Sequence, residues 1–207
     1  MDNFIDTTFE DREWVQEIVD DLRMTYPNLC SCSVNVPYNN YHLFKDFLKV
    51  KVLETIKIER SDSTAYVAFV QTHSAVPLRR DGSDSSSEVK AYIMINLPTD
   101  FGKIFIKNET FMDKLQEILN PLETEIEDDA AFNRKFLVLA HDKNRAKDLC
   151  NSSFRSILKS AEIKSMYIET SDRVLLISNQ KPAGDEELPD LIKVGLDISS
   201  IRHNNGG

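Results

Sequence analysis

The chain has 207 residues, 41% hydrophobic and 29% charged, with a formal net charge of −9. A chain of this length buries roughly 70% of its unfolded surface, so neither disulfides nor a metal is needed to hold a core, and the ordinary composition excludes a disordered or fibrous polymer. The surplus of carboxylates repels phosphate, which argues against nucleic acid and anionic membrane surfaces as partners.

Much of that surplus lies near the start, where Asp2, Asp6, Glu10, Asp11, Glu13, Glu17, Asp20 and Asp21 face only Arg12 and Arg23. The same region predicts a helix over 8–25. Thr7 and Glu10 fit a capping box, in which hydroxyl and carboxylate satisfy orphan amides reciprocally. Val15, Ile18, Val19 and Leu22 recur at helical spacing with Trp14 beside them, and Tyr26-Pro27-Asn28 ends the run. The stretch 29–40 is irregular. From Tyr41 to Arg60 the pattern turns to period two, with Val50, Val52, Ile56 and Ile58 alternating with Lys49, Lys51, Lys57 and Glu59, as in a strand or hairpin with one wet face. Ala65 to Val70 reads as a more buried strand. A loop with Pro77, Gly82 and the run Ser83-Asp84-Ser85-Ser86-Ser87 follows and is expected to be mobile. Strands resume at Val89–Leu97 and Ile104–Ile106, so 45–106 reads as an antiparallel meander.

A second helix is expected over 109–119, with Asn108 as its N-cap and Phe111, Met112, Leu115, Ile118 and Leu119 on one face. Glu123, Glu125, Glu127, Asp128 and Asp129 read as a solvated connector. Phe136–Ala140 is a strand, and Asp142 caps the helix after it. Asn151-Ser152-Ser153 interrupt that helix, because their side chains compete for backbone amides. A hairpin of Lys164–Glu169 and Arg173–Ser178 comes next. The last helix spans 186–198, with Pro189 in its first turn.

Six glycines build no phosphate-binding loop: neither G-x-x-x-x-G-K-[ST] nor G-x-G-x-x-G is present. G-x-S-x-G, H-E-x-x-H and C-x-x-C are missing too. What remains is scattered. Cys30 and Cys32 are two thiols one residue apart, able in principle to hold a soft metal with His42 or to exchange, although chelation by neighbouring cysteines favours a C-x₂₋₄-C turn. His73, past a buried strand, is a titratable group of the kind a general base requires, and His141 precedes a helix. Cys150 falls on the apolar stripe of that helix and reads as buried and inert. The three cysteines, odd in number and irregular in spacing, form no secreted disulfide framework. The opening Met-Asp-Asn-Phe-Ile-Asp has no signal-peptide character, and no stretch reaches the 18 or so apolar residues of a membrane span. The expected compartment is a reducing cytoplasm, with no cofactor and no metal.

Between Asp100 and Ile177 the order of residues is distinctive. Asp100-Phe101-Gly102-Lys103 is followed by Glu125-Ile126-Glu127-Asp128, then by Phe132-Asn133-Arg134-Lys135-Phe136-Leu137-Val138 and Asp142, and closes on Met166-Tyr167-Ile168 and Val174–Ile177. This resembles the bacterial family known as domain of unknown function 3137. The resemblance implies no activity and no catalytic residues; it implies structural roles for Phe101, Gly102, Phe132 and Phe136, and kinship with proteins tethered to membranes ahead of a soluble part.

The elements together predict an α+β protein, soluble and globular, mostly antiparallel sheet packed by helices. Residues 1–207 form one compact domain or two packed halves, 1–107 and 108–200. The expected function is a non-catalytic protein-interaction or regulatory module with an unidentified protein partner, docking at a strand edge or in an apolar groove beside the 8–25 helix. One alternative is a hydrolase-like enzyme using His73, His141, Cys30 or Cys32. The other, carried by the resemblance, is a soluble accessory factor of a bacterial envelope complex.

Overall fold

Helix α1 (Phe9–Thr25) forms where the sequence pattern places it, and Val15, Ile18, Val19 and Leu22 are its buried face. The structure, a computed structural model, describes residues 9–34, 38–74, 87–108, 122–179 and 187–201. Thr7 of the capping box, the serine-rich loop before residue 87, the helix expected over 109–119 and the tail after 201 lie outside those residues.

Among the described residues nine strands build one open sheet: β1 (Cys30–Ser31), β2 (Phe47–Glu59), β3 (Thr64–Ser74), β4 (Ser87–Asn96), β5 (Ile104–Asn108), β6 (Leu122–Glu123), β7 (Phe136–Ala140), β8 (Met166–Ser171) and β9 (Val174–Asn179). Their order is β1-β2-β3-β4-β9-β8-β5-β7-β6, and every pairing is antiparallel. The meander expected over 45–106 holds for β2, β3 and β4 and stops there. The β8–β9 hairpin inserts next to β4, and β5 pairs with β8 and β7. Hydrogen bonds between residues far apart in the chain accompany this departure. Gly102 takes a positive φ of 75°, its carbonyl accepts from the Thr170 hydroxyl at 2.6 Å, and that hydroxyl accepts from the Ile104 amide at 3.0 Å. Thr170 thus seats the start of β5 against β8.

The expected period-two strand is real but changes phase. A register shift between Val52 and Glu54 inserts an extra residue, and a one-residue slip moves every later side chain to the other face. Val50 therefore packs with the cluster around Tyr92 and Leu176, whereas Ile56 and Ile58 join the main core on the opposite side. The four apolar residues share no common face.

All five α-helices among the described residues contribute to that main core: α1, α2 (Ala130–Lys135), α3 (Lys143–Leu149), α4 (Ser152–Ser160) and α5 (Leu188–Ser200). This is an α+β arrangement with the helices on one face of the sheet. The break between α3 and α4 falls at Asn151, whose side chain accepts from the Phe154 amide at 3.1 Å and so caps α4. Helix α5 carries Pro189 in its first turn and lies close over β4 at Gly195, where a Cβ would stand 2.6 Å from Ile93 Cγ2. The acidic connector proves to be ordered structure. Asp129 caps α2 through the Phe132 amide and pairs with Arg155 at 3.1 Å and Lys159 at 2.7 Å, while Ile126 is buried. Lys135 closes the other end of α4, donating to the carbonyls of Lys159 at 3.0 Å and Ala161 at 2.8 Å.

The other face of the sheet is covered by two short 3-10 turns, Tyr38–Asn40 and His42–Phe44, which place Tyr41 and Phe44 on Tyr92, Met94 and Leu176. Among the described residues no helix is long and apolar enough to cross a membrane.

Candidate functional site

Spacing on α1 sets one side of a concavity among the described residues. Arg12, Gln16, Val19 and Arg23 recur at helical intervals of four, three and four residues, so they share one stripe. That stripe faces Ser31 and the segment Lys51–Glu54, and between them lies a groove of about 380 Å³. Val15 and Val19 are buried beneath it, and Leu53 completes an apolar floor. One of the two register shifts of β2 lies at this point, between Val52 and Glu54, and such an irregularity bends a strand and changes which residues it offers to a neighbour.

The charge of the groove is opposite to that of the whole chain. Arg12 and Arg23 are the only two cations of α1, and both line it, as does Lys51; Glu54 is the one carboxylate there. The helix's own acids lie elsewhere on its surface, apart from Asp20, which holds Arg23 at 2.6 Å. Arg12 makes no ion pair among the described residues. Beside this end of the sheet the wholly buried Gln71 ties α1 down, donating to Asp11 at 3.1 Å and Ser87 at 2.8 Å.

The residues singled out from the sequence are dispersed. Cys30 is exposed in β1, and Cys32, half-buried, follows it with its amide on the Thr55 carbonyl at 2.9 Å. Partial burial and then the neighbouring Cys30 push the Cys32 thiol up. Cys30 stands opposite Lys57, itself opposite Tyr66, whereas His73 is seven residues further along β3 and opposite Lys49. That is a separation of roughly 23 Å along the strand. His141 is exposed after β7, five strand spacings from β3, or roughly 24 Å. Cys30 and Cys32 are the only neighbours of the four. His42, considered as their helper, stands over the far part of the sheet against Phe105, with ring centroids 6.1 Å apart. Cys150 is wholly buried, and burial pushes its thiol to about 12. Among the described residues no three His, Cys, Asp or Glu side chains group around a point where a metal ion could sit.

One polar cluster escaped the sequence reading. Glu169, in the middle of β8, has no exposed surface. Its carboxylate accepts from the His42 amide at 2.6 Å, the Leu43 amide at 3.2 Å and the Tyr167 hydroxyl at 3.2 Å. Burial pushes the carboxyl up, and these three donors together with Lys103 pull it part of the way back. The Lys103 ammonium reaches the Asn40 carbonyl at 3.0 Å, and the Tyr41 hydroxyl reaches the Val174 carbonyl at 3.4 Å. The arrangement fastens the two 3-10 turns to the sheet. Its sequence signal was a lone acid between Ile168 and Thr170 in an otherwise uncharged strand, which periodicity alone does not interpret.

No family model and no curated protein matches the sequence. Among solved structures the chain is similar to the mycobacterial trehalose monomycolate transport factor A, TtfA, with a TM-score of 0.54 and 6% identity, over 93% of this chain and 90% of that one. At that identity the likeness is one of fold.

Proposed function

We propose that this chain, built on the fold of a transport factor, is a non-catalytic interaction module that docks a partner protein in the groove between α1 and β2. The observation that carries the proposal is the groove itself, whose apolar floor and cationic walls belong to a chain with a net charge of −9. An apolar centre rimmed by charge is the anatomy of a protein-recognition patch. The wide spacing of the two histidines and the cysteine pair supports the same reading over a hydrolase-like one, since catalytic partners work at hydrogen-bond distance.

The partner is proposed to belong to an envelope complex, with this protein as its accessory factor. The fold shared with TtfA supports that choice, and the resemblance to domain of unknown function 3137 proposed from the sequence of residues 100–177 points the same way. Both are analogies of architecture, which set a direction and assign no residue.

The test is capture from native lysate, soluble and membrane fractions separately, with the wild-type chain and Gln16→Trp as baits. Gln16 is exposed on the groove wall, so tryptophan fills the concavity from outside the core. A stoichiometric partner that wild type retains and Gln16→Trp loses is the expected result. A partner held equally by both baits, or none at all, refutes docking in the groove.

A further inference from the structure

From the charge and dimensions of the groove we infer the chemistry of its occupant: an extended acidic segment of the form acid–x–apolar–x–acid, supplied by a partner protein. The inference rests on the docking function proposed above and adds what the partner must present.

Arg12 and Arg23 are eleven residues apart on one stripe of α1, which is about 16 Å along the helix axis. An extended segment covers about 13 Å between residues i and i+4, and long acidic and guanidinium side chains span the remainder. Residues i, i+2 and i+4 of an extended chain point to one side. Two carboxylates at the ends then meet Arg12 and Arg23, the second sharing Arg23 with Asp20, a fork geometry that arginine serves better than lysine. The central apolar residue meets Val15, Val19 and Leu53. Lys51 adds a third cation on the β2 side, so three cations stand against two carboxylates, Glu54 in the lining and Asp20 on Arg23.

A second copy of the chain is the poorer occupant. A second copy docking through the same α1–β2 face would set Arg12, Arg23 and Lys51 against their own equivalents, and like charges set against each other are destabilising. The acids of α1 in a second copy lie on a helix, where i and i+4 rise only about 6 Å. An extended acidic segment matches both sign and length.

Fluorescence anisotropy of a labelled ten-residue peptide with a Glu-Thr-Val-Thr-Glu core tests this, beside a counterpart with lysines in place of the glutamates. Wild type should bind the acidic peptide saturably and reject the basic one, with affinity falling as salt rises. Arg12→Glu/Arg23→Ala, checked for an unchanged circular dichroism spectrum, should bind the acidic peptide about tenfold more weakly or worse. Saturable binding that ignores both arginines, equal binding of both peptides, or no binding by wild type overturns the inference. So does concentration-dependent self-association abolished by the same double variant, which would make a second copy the occupant. A lysate partner lost from Gln16→Trp together with failure of the acidic peptide removes only the acidic chemistry, and the docking function stands.

Discussion

Glu169→Gln separates the two influences on the most deeply buried carboxyl among the described residues. The carboxylate takes three donors: the His42 amide on Oε1, and the Leu43 amide and Tyr167 hydroxyl on Oε2. A protonated carboxyl in the same place satisfies all of them. Its proton points to the Tyr167 oxygen, and the Oε2 lone pair still accepts from Leu43. Glutamine cannot do so, because its NH₂ in the Oε2 position has no lone pair and the Leu43 amide is left facing a donor. One buried amide without an acceptor costs about 1–3 kcal/mol. With an m-value of about 1–3 kcal/mol/M in urea, the midpoint should fall on the order of 1 M. The pH dependence has a definite sign. Burial raises the Glu169 carboxyl above its ordinary value near 4.5, so between that value and the raised one the folded state holds more protons than the unfolded state. Stability from this group is full below the ordinary value and is lost as pH rises through the raised one. Glutamine does not titrate. The gap between wild type and Glu169→Gln should therefore be widest near pH 4 and narrow toward pH 8, as read from urea midpoints across that range. A gap that stays constant, or widens as pH rises, refutes the reasoning, since it would mean that the three donors outweigh burial and the ionised form is the favoured one.

Asp129 works in the opposite direction. Its bond to Lys159 and the Phe132 amide hold the carboxyl below its ordinary value near 3.8, so its contribution is present above that value and lost as pH falls through the lowered one. Asp129→Asn should lower the thermal midpoint at pH 7 and flatten the acid limb of the stability curve, and an unchanged acid limb refutes the pairing. Gly195→Val should destabilise by about 1–3 kcal/mol through overpacking against Ile93, and Ile93→Ala should recover part of that loss in a double-mutant cycle; strict additivity would show that the close approach is not the cause. Thiol labelling of the native protein should run in the order Cys30, Cys32, Cys150, because Cys30 is exposed, the Cys32 thiol is pushed up and Cys150 is buried. Rapid native labelling of Cys150 would refute its burial in the core.

The sequence alone determined what rests on short-range periodicity and backbone chemistry. The stripe of α1, the hairpin of β8 and β9, the helix break at Asn151-Ser152-Ser153, Pro189 in the first turn of α5 and the burial of Cys150 all follow from residues within a few positions of one another. Strand order is of another kind. Nothing near Ile104 announces that β5 leaves the meander, because the decision belongs to Thr170, 66 residues away, whose hydroxyl bridges the Gly102 carbonyl and the Ile104 amide. The extra residue in β2 was equally hidden. Val50, Val52, Ile56 and Ile58 keep period two in the sequence, and only pairing with β3 reveals the slip that divides them between two faces. The groove has the same origin: Arg12 and Arg23 read as two isolated cations in an acidic helix until β2 is laid beside them. Glu169 likewise looks like a stray acid until the 38–44 turns fold over it, 126 and 127 residues distant in the chain, and direct their amides at its oxygens. Periodicity records which way a side chain points relative to its neighbours in sequence; what it points at is decided by long-range pairing, where one hydroxyl or one inserted residue redirects a whole strand.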